Sequence, residues 1–161
     1  PSPERLGYLA VVACASNRRE AYRRAEEMRK YFLAAPRFDL QFRNIMGFNP
    51  VEAILRALTA TSNASRPRLR SGTPLGQDAS IEDYVDAQLM FVGTPDDVYE
   101  QLASFHSDVG GFGNLMMMGQ AGEINHADTV DSLTLIAKEV APRLAELPEI
   151  APLEVRYEDV G

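Results

Sequence analysis

Leu89-Met90-Phe91-Val92-Gly93-Thr94-Pro95-Asp96-Asp97-Val98-Tyr99-Glu100-Gln101-Leu102 is the stretch on which the fold turns. An apolar run stops at Gly93 and a helix begins at once. Thr94 can cap that helix with its hydroxyl, Pro95 suits a first-turn position because its missing N–H needs no partner there, and Asp96 and Asp97 oppose the positive end of the helix dipole. Val98, Leu102, Phe105 and Val109 then recur at three- and four-residue spacing, which predicts one buried stripe, with Asp97, Glu100 and Ser104 turned outward. Gly110 and Gly111 end the helix. The pattern repeats downstream: Asn114 to Met118 is a second apolar run stopped by Gly119, and Thr129 to Leu144 reads as a second amphipathic helix. Residues 89–144 are two consecutive strand-helix units.

Upstream, Leu6 to Ala15 is continuously apolar rather than alternating, as expected of a strand covered on both faces. Ser16 or Asn17 caps the next helix, with Ala21, Ala25, Met28 and Phe32 as its stripe. Arg18, Arg19, Arg23, Arg24, Glu26, Glu27, Arg29 and Lys30 read as its solvated face. From Ala35 to Ala60 the pattern weakens into a helical and irregular excursion with an Asn49-Pro50 cap. Residues 61–80, rich in Ser, Arg, Pro and Gly, read as a long mobile surface loop without packed structure. Ser80 caps a short helix over Ile81, Tyr84 and Val85. Residues 148–161 read as a loose acidic tail.

The chain has 161 residues, with 16 Lys and Arg against 23 Asp and Glu, a formal charge of −7. That balance argues against nucleic acid or an anionic membrane as the main partner. One cysteine, Cys14, excludes an internal disulfide and suits a reducing compartment. With no signal peptide and no apolar run of spanning length, cytoplasm is the default.

The ordered combination of Val92-Gly93-Thr94-Pro95-Asp96-Asp97-Val98, a helix, a Gly-rich turn, the strand 114–118 and a last helix ending Glu139-Val140-Ala141-Pro142-Arg143-Leu144 resembles the carboxy-terminal end of the luciferase-like flavin monooxygenases. Bacterial luciferase and the limonene-type monooxygenases are similar there. The resemblance covers residues 89–145 and, more loosely, 6–34. It implies an α/β fold, the last three strand-helix units of a (β/α)8 TIM barrel, with a long insertion before the second strand. Such a barrel takes about 250 residues, so a single partial domain, the carboxy-terminal part of a longer chain, is expected over 1–161. It implies further an oxidoreductase acting on an apolar organic substrate with oxygen and reduced FMN from a separate flavin reductase, or a relative using F420. In that family the segment before the Val-Gly-Thr-Pro motif is a lid, which would bring Arg66, Arg68 or Arg70 near an anionic cofactor.

In a parallel strand-helix barrel, ligands bind at the carboxyl ends of the strands. Ser16, Met118 and Gln120 stand at two such ends and, with Arg70, are the candidate cofactor contacts; no catalytic residue is assigned. Limonene-type relatives often carry a His where Gln120 stands, which weakens any proton-transfer role at that position. Met116-Met117-Met118 must send side chains to both sides of its strand, either into an apolar substrate pocket or into ordinary core. Gly93-Thr94-Pro95 reads as a capped turn rather than a phosphate site, since Asp96 and Asp97 would repel phosphate. His106 and His126 read as an outer-face and a near-cap residue, and Cys14 as inert packing.

No P-loop, dinucleotide fingerprint, metal-ligand spacing or Ser-His-Asp set is present. The rival to the flavoenzyme is a non-catalytic truncated homologue serving structure or interaction. A third possibility is a small self-contained α/β sandwich. Open strand edges are a liability, so a protein partner is expected, either the remainder of the barrel or a second copy of the chain in a homo-oligomer.

Overall fold

The computed structural model describes residues 6–34, 67–76 and 78–148, without the side chains of 32–34. The expectations for 35–66, for Phe32 and for the tail beyond 148 lie outside the described residues.

Strands β1 (Gly7–Cys14), β2 (Met90–Gly93) and β3 (Asn114–Met118) form one parallel sheet in the order β2-β1-β3. β1 takes the centre because it can bury both faces: every residue from Ala10 to Ala15 is at most 4% exposed. Residues 11, 13 and 15 with Met90 and Val92 meet Ala21, Ala25 and Met28 of α1 (Arg18–Ala34) and Ile81 and Tyr84 of α2 (Ile81–Asp86). On the opposite face Ala10, Val12, Cys14 and Phe91 meet Val98 and Leu102 of α3 (Pro95–Asp108), and Ile136 and Val140 of the carboxy-terminal helix. The small side chains at 13, 15, 21 and 25 let α1 lie close to the sheet.

The parallel α/β architecture is as the sequence predicts, but the layout differs from a strip of barrel wall. Consecutive barrel units would put β2 in the middle and all helices on one surface. Here β1 is central and helices cover both faces, the layering of the sandwich alternative. The reason lies in β1, whose two apolar faces each require a cover.

The helix starts follow the local chemistry. Thr94 and Asp97 form a reciprocal capping box with Pro95 in the first turn, Ser80 and Asp83 form another, and the Glu20 N–H donates to Asn17 Oδ1 at 3.0 Å. Within the expected loop 61–80, the described part is more ordered than its composition predicts. Arg68 and Pro74 form an antiparallel bridge, Leu75 packs against the first core and Ala79 is buried. The carboxy-terminal helix runs as α4 (His126–Leu135), a π-helical segment (Ile136–Val140) and α5 (Ala141–Leu144). The widened turn precedes Pro142, whose ring would clash with the Lys138 carbonyl in a regular α-helix. Among the described residues no helix is long and apolar enough to cross a membrane.

Candidate functional site

The carboxyl ends of β1 and β2 lie together, with Cys14 in register with Gly93 and the Ala15 N–H donating to the Gly93 carbonyl at 3.1 Å. Gly93 has φ +149°, and a Cβ there would overlap the Asp97 side chain. The missing side chain is what lets Asp97 fold back over the turn. Asp97 accepts from the Thr94 N–H and hydroxyl, at 3.0 and 2.9 Å, and takes a forked pair of bonds from Arg18 at 2.9 and 2.6 Å. The Arg18 guanidinium, then partial burial working the other way, and the Thr94 bonds leave the Asp97 carboxyl well below the usual carboxylate range.

A second cluster closes the end of β1. Ser132 Oγ accepts the Cys14 N–H at 3.0 Å, and Arg24, 5% exposed, donates to the Cys14 carbonyl at 2.9 Å and to Asp131 at 2.8 Å. Arg24 therefore does not belong to the solvated face predicted for α1. Its place between Ala21 and Met28, three and four residues away, is the signal that puts it on the buried side. Glu20, lowered to about 2 chiefly by Arg23, lies beside it. Burial pushes the Cys14 thiol up to about 11, Glu139 adding to the effect, so it is no nucleophile at neutral pH. Asp97 and Glu20 are held ionised and the Cys14 thiol neutral, which leaves none of the three poised to exchange a proton near pH 7.

β3 ends earlier, with Met118 in register with Val11. The following loop is pressed onto α1: Gly122, at φ +59°, sits where a Cβ would strike the Glu27 carbonyl, and the Glu123 N–H donates to that same carbonyl at 3.2 Å. Ser16 and Gln120 are exposed, and Met118 is half-buried against the first core. Met117 packs into the opposite core while Met116 is 61% exposed, so the methionine run does divide between the two sides of its strand.

Arg70 is elsewhere. Its N–H donates to Asp86 at 2.8 Å and its guanidinium reaches Ser104 at 3.0 Å and Asp108 at 2.8 Å, beside the far end of α3. There it borders a hollow of 390 Å³ along the β2 edge, with Tyr22, Phe91, Glu82, Glu100 and Gln101. Ser16, Met118 and Gln120 do not line it, so the structure does not bring the four candidates together. The sequence reading missed Gln101: its side-chain amide donates to the Val92 carbonyl and accepts the Val92 N–H, both at 2.8 Å, as a neighbouring strand would.

A flavin cradle needs free N–H groups and a cation for the phosphate. The N–H groups of Cys14, Ala15 and Thr94 are taken by Ser132, Gly93 and Asp97, and the guanidinium groups of Arg18 and Arg24 are bonded to carboxylates. These residues do not by themselves fit FMN. Among the described residues no cluster of His, Cys, Asp and Glu could hold a metal ion.

No protein-family model matches the sequence, and no curated protein matches it. Solved structures do. The oxygenating constituent of 3,6-diketocamphane monooxygenase from the CAM plasmid of Pseudomonas putida, a type II Baeyer-Villiger monooxygenase in complex with FMN, is 28% identical with a TM-score of 0.56, over 89% of this chain and 34% of that one. Monooxygenase RslO1 from Streptomyces bottropensis matches at 15% identity and TM-score 0.52, over 89% of this chain and 32% of that one. The chain thus spans about a third of the length of the structures it matches. The luciferase-like resemblance read from residues 89–145 is met by a structural match to luciferase-like FMN monooxygenases.

Proposed function

We propose that this chain contributes the carboxy-terminal part of a flavin-dependent monooxygenase of the luciferase-like class, acting on an apolar organic substrate with oxygen and reduced FMN, or F420 in its place. The observation that carries this reading is the match, over 89% of the chain, to a monooxygenase whose structure contains FMN. Because the ends of β1 and β2 are closed by their own ion pairs, the flavin would be held mainly by residues outside this chain, and the chain alone would be inactive. Its role is then to supply a carboxy-terminal portion of the enzyme, with the exposed Gln120 beyond β3 as its candidate ligand contact. Partners on this reading are the remainder of the barrel or a second copy, and a flavin reductase.

The test is to purify the native polypeptide that contains this sequence, record its intact mass and flavin absorbance, and measure oxygen uptake with reduced FMN and an apolar ketone or aldehyde. The expected result is bound flavin and substrate-dependent oxygen consumption by the native protein, with neither in the isolated chain. A native protein that takes up no flavin would favour the non-catalytic module.

A further inference from the structure

The two outer strands differ in how their free backbone is treated. At β2 the Gln101 amide satisfies both polar groups of Val92. At β3 the Asn114 N–H points inward to the Leu6 carbonyl, so by alternation Met116 and Met118 also face β1, while the N–H and C=O groups of Leu115 and Met117 point away from the sheet. Among the described residues nothing bonds them. The strand Asn-Leu-Met-Met-Met has no charge, proline or bulge, the usual devices that guard an edge. On one face beside this edge lie the two most exposed large apolar side chains described, Leu9 at 58% and Met116 at 61%, which are register partners across β1 and β3.

We propose that a second copy of this chain pairs with β3 in antiparallel register, with Met116 on the two-fold axis, giving one continuous sheet. The register follows from self-complementarity. Only with Met116 opposite itself do the outward groups of Leu115 meet those of the partner's Met117 and the reverse, so that every outward N–H and C=O of both residues is bonded. Met116 then forms a non-hydrogen-bonded pair with its own copy, the closest spacing in an antiparallel ladder, and Leu9 and Met116 of both copies cover one another on a single face. An uncharged edge is also where two chains of net charge −7 can approach at least electrostatic cost. This pairing stands on the edge geometry and, on the flavoenzyme reading, takes the second copy rather than the remainder of the barrel as the partner at β3.

The test uses the full chain in sedimentation equilibrium with two variants. The chain is expected to sediment at twice its 17.8 kDa mass. Met116→Lys sets like charges face to face and is expected to weaken the dimer by about tenfold or more, with unchanged far-UV circular dichroism because the side chain is exposed. Met116→Cys places two thiols on Cα atoms about 4.5 Å apart, within disulfide reach. It is expected to oxidise to a covalent dimer in air, while buried Cys14 stays reduced. A monomer at all concentrations overturns the proposal. So does a dimer that survives Met116→Lys without forming the 116–116 disulfide, or a native complex in which a different polypeptide occupies β3.

Discussion

At the β2 margin, side chains of α3 cover the carboxyl end of the strand. Gln101 brackets Val92, Asp97 folds over Gly93, and Leu102 fills the space beneath with no exposure at all. At the β3 margin the chain passes from strand to loop with exposed Asn114 and Met116 and half-buried Leu115, Met117 and Met118. The difference has a local origin. β2 runs straight into a helix through Thr94, so that helix folds back along the edge it has just left. β3 is followed by the seven residues 119–125, which lead the chain across to α1 before α4 begins. A tight strand-to-helix turn guards an edge, and a long one leaves it for something else to cover.

Substitutions on the two margins should separate accordingly. The largest loss is expected from Leu102→Ala, a fully buried side chain, at about 2–5 kcal/mol in urea unfolding. Gly93→Ala comes next. It forces a side chain into a glycine-only backbone region and displaces Asp97, so about 2–3 kcal/mol and a lower Tm are expected. Gln101→Ala should cost about 1–2 kcal/mol by leaving the Val92 groups without their bracket, and should also expose an edge, so that aggregation on heating rises more than stability falls.

The acid limb of the stability curve tests the same corner. Asp97 in the fold sits below its unfolded value of about 3.9, so its contribution is complete above that pH and is lost as pH falls toward the folded value. Urea unfolding midpoints should decline below about pH 4, and Asp97→Asn should flatten part of that decline. Glu20, lowered to about 2, keeps the remainder. The smallest effect belongs to the β3 side: Leu9→Ala, measured at concentrations dilute enough to keep chains apart, should change stability by less than about 0.5 kcal/mol. A large loss there would mean the β3 margin is packed after all.

What the sequence made legible is what is local. Thr94 with Asp97, and Ser80 with Asp83, announce their helices within four residues, and the Val98–Leu102 stripe declares its buried side. Continuous apolarity from Ala10 to Ala15 correctly calls for cover on both faces. What was hidden is what depends on distant partners. The strand order depends on pairing across about eighty residues, which no periodicity records. Arg24 reads as one more surface arginine until Asp131 and the end of β1 arrive beside it. Gln101 has the composition of a solvent-facing helix position, and only the proximity of Val92 turns its amide into a substitute peptide. The candidate ligand contacts were the least legible, since Arg70 reaches a different part of the molecule from Ser16 and Gln120 once residues 67–76 are placed.

The π-helical segment ahead of Pro142 has a consequence for the far end of the helix. A hydrogen-bonded turn holding one extra residue sets everything after it back by about 100° around the axis relative to an uninterrupted α-helix. Val140 is buried against the sheet, and beyond it the shifted phase carries Arg143 onto the Tyr99 ring, 3.8 Å from its centroid, where it bonds Asp96 at 2.7 Å. The terminal helix is thereby clasped to the beginning of α3. Deleting a single residue from 136–140 would straighten the helix and turn that clasp toward water.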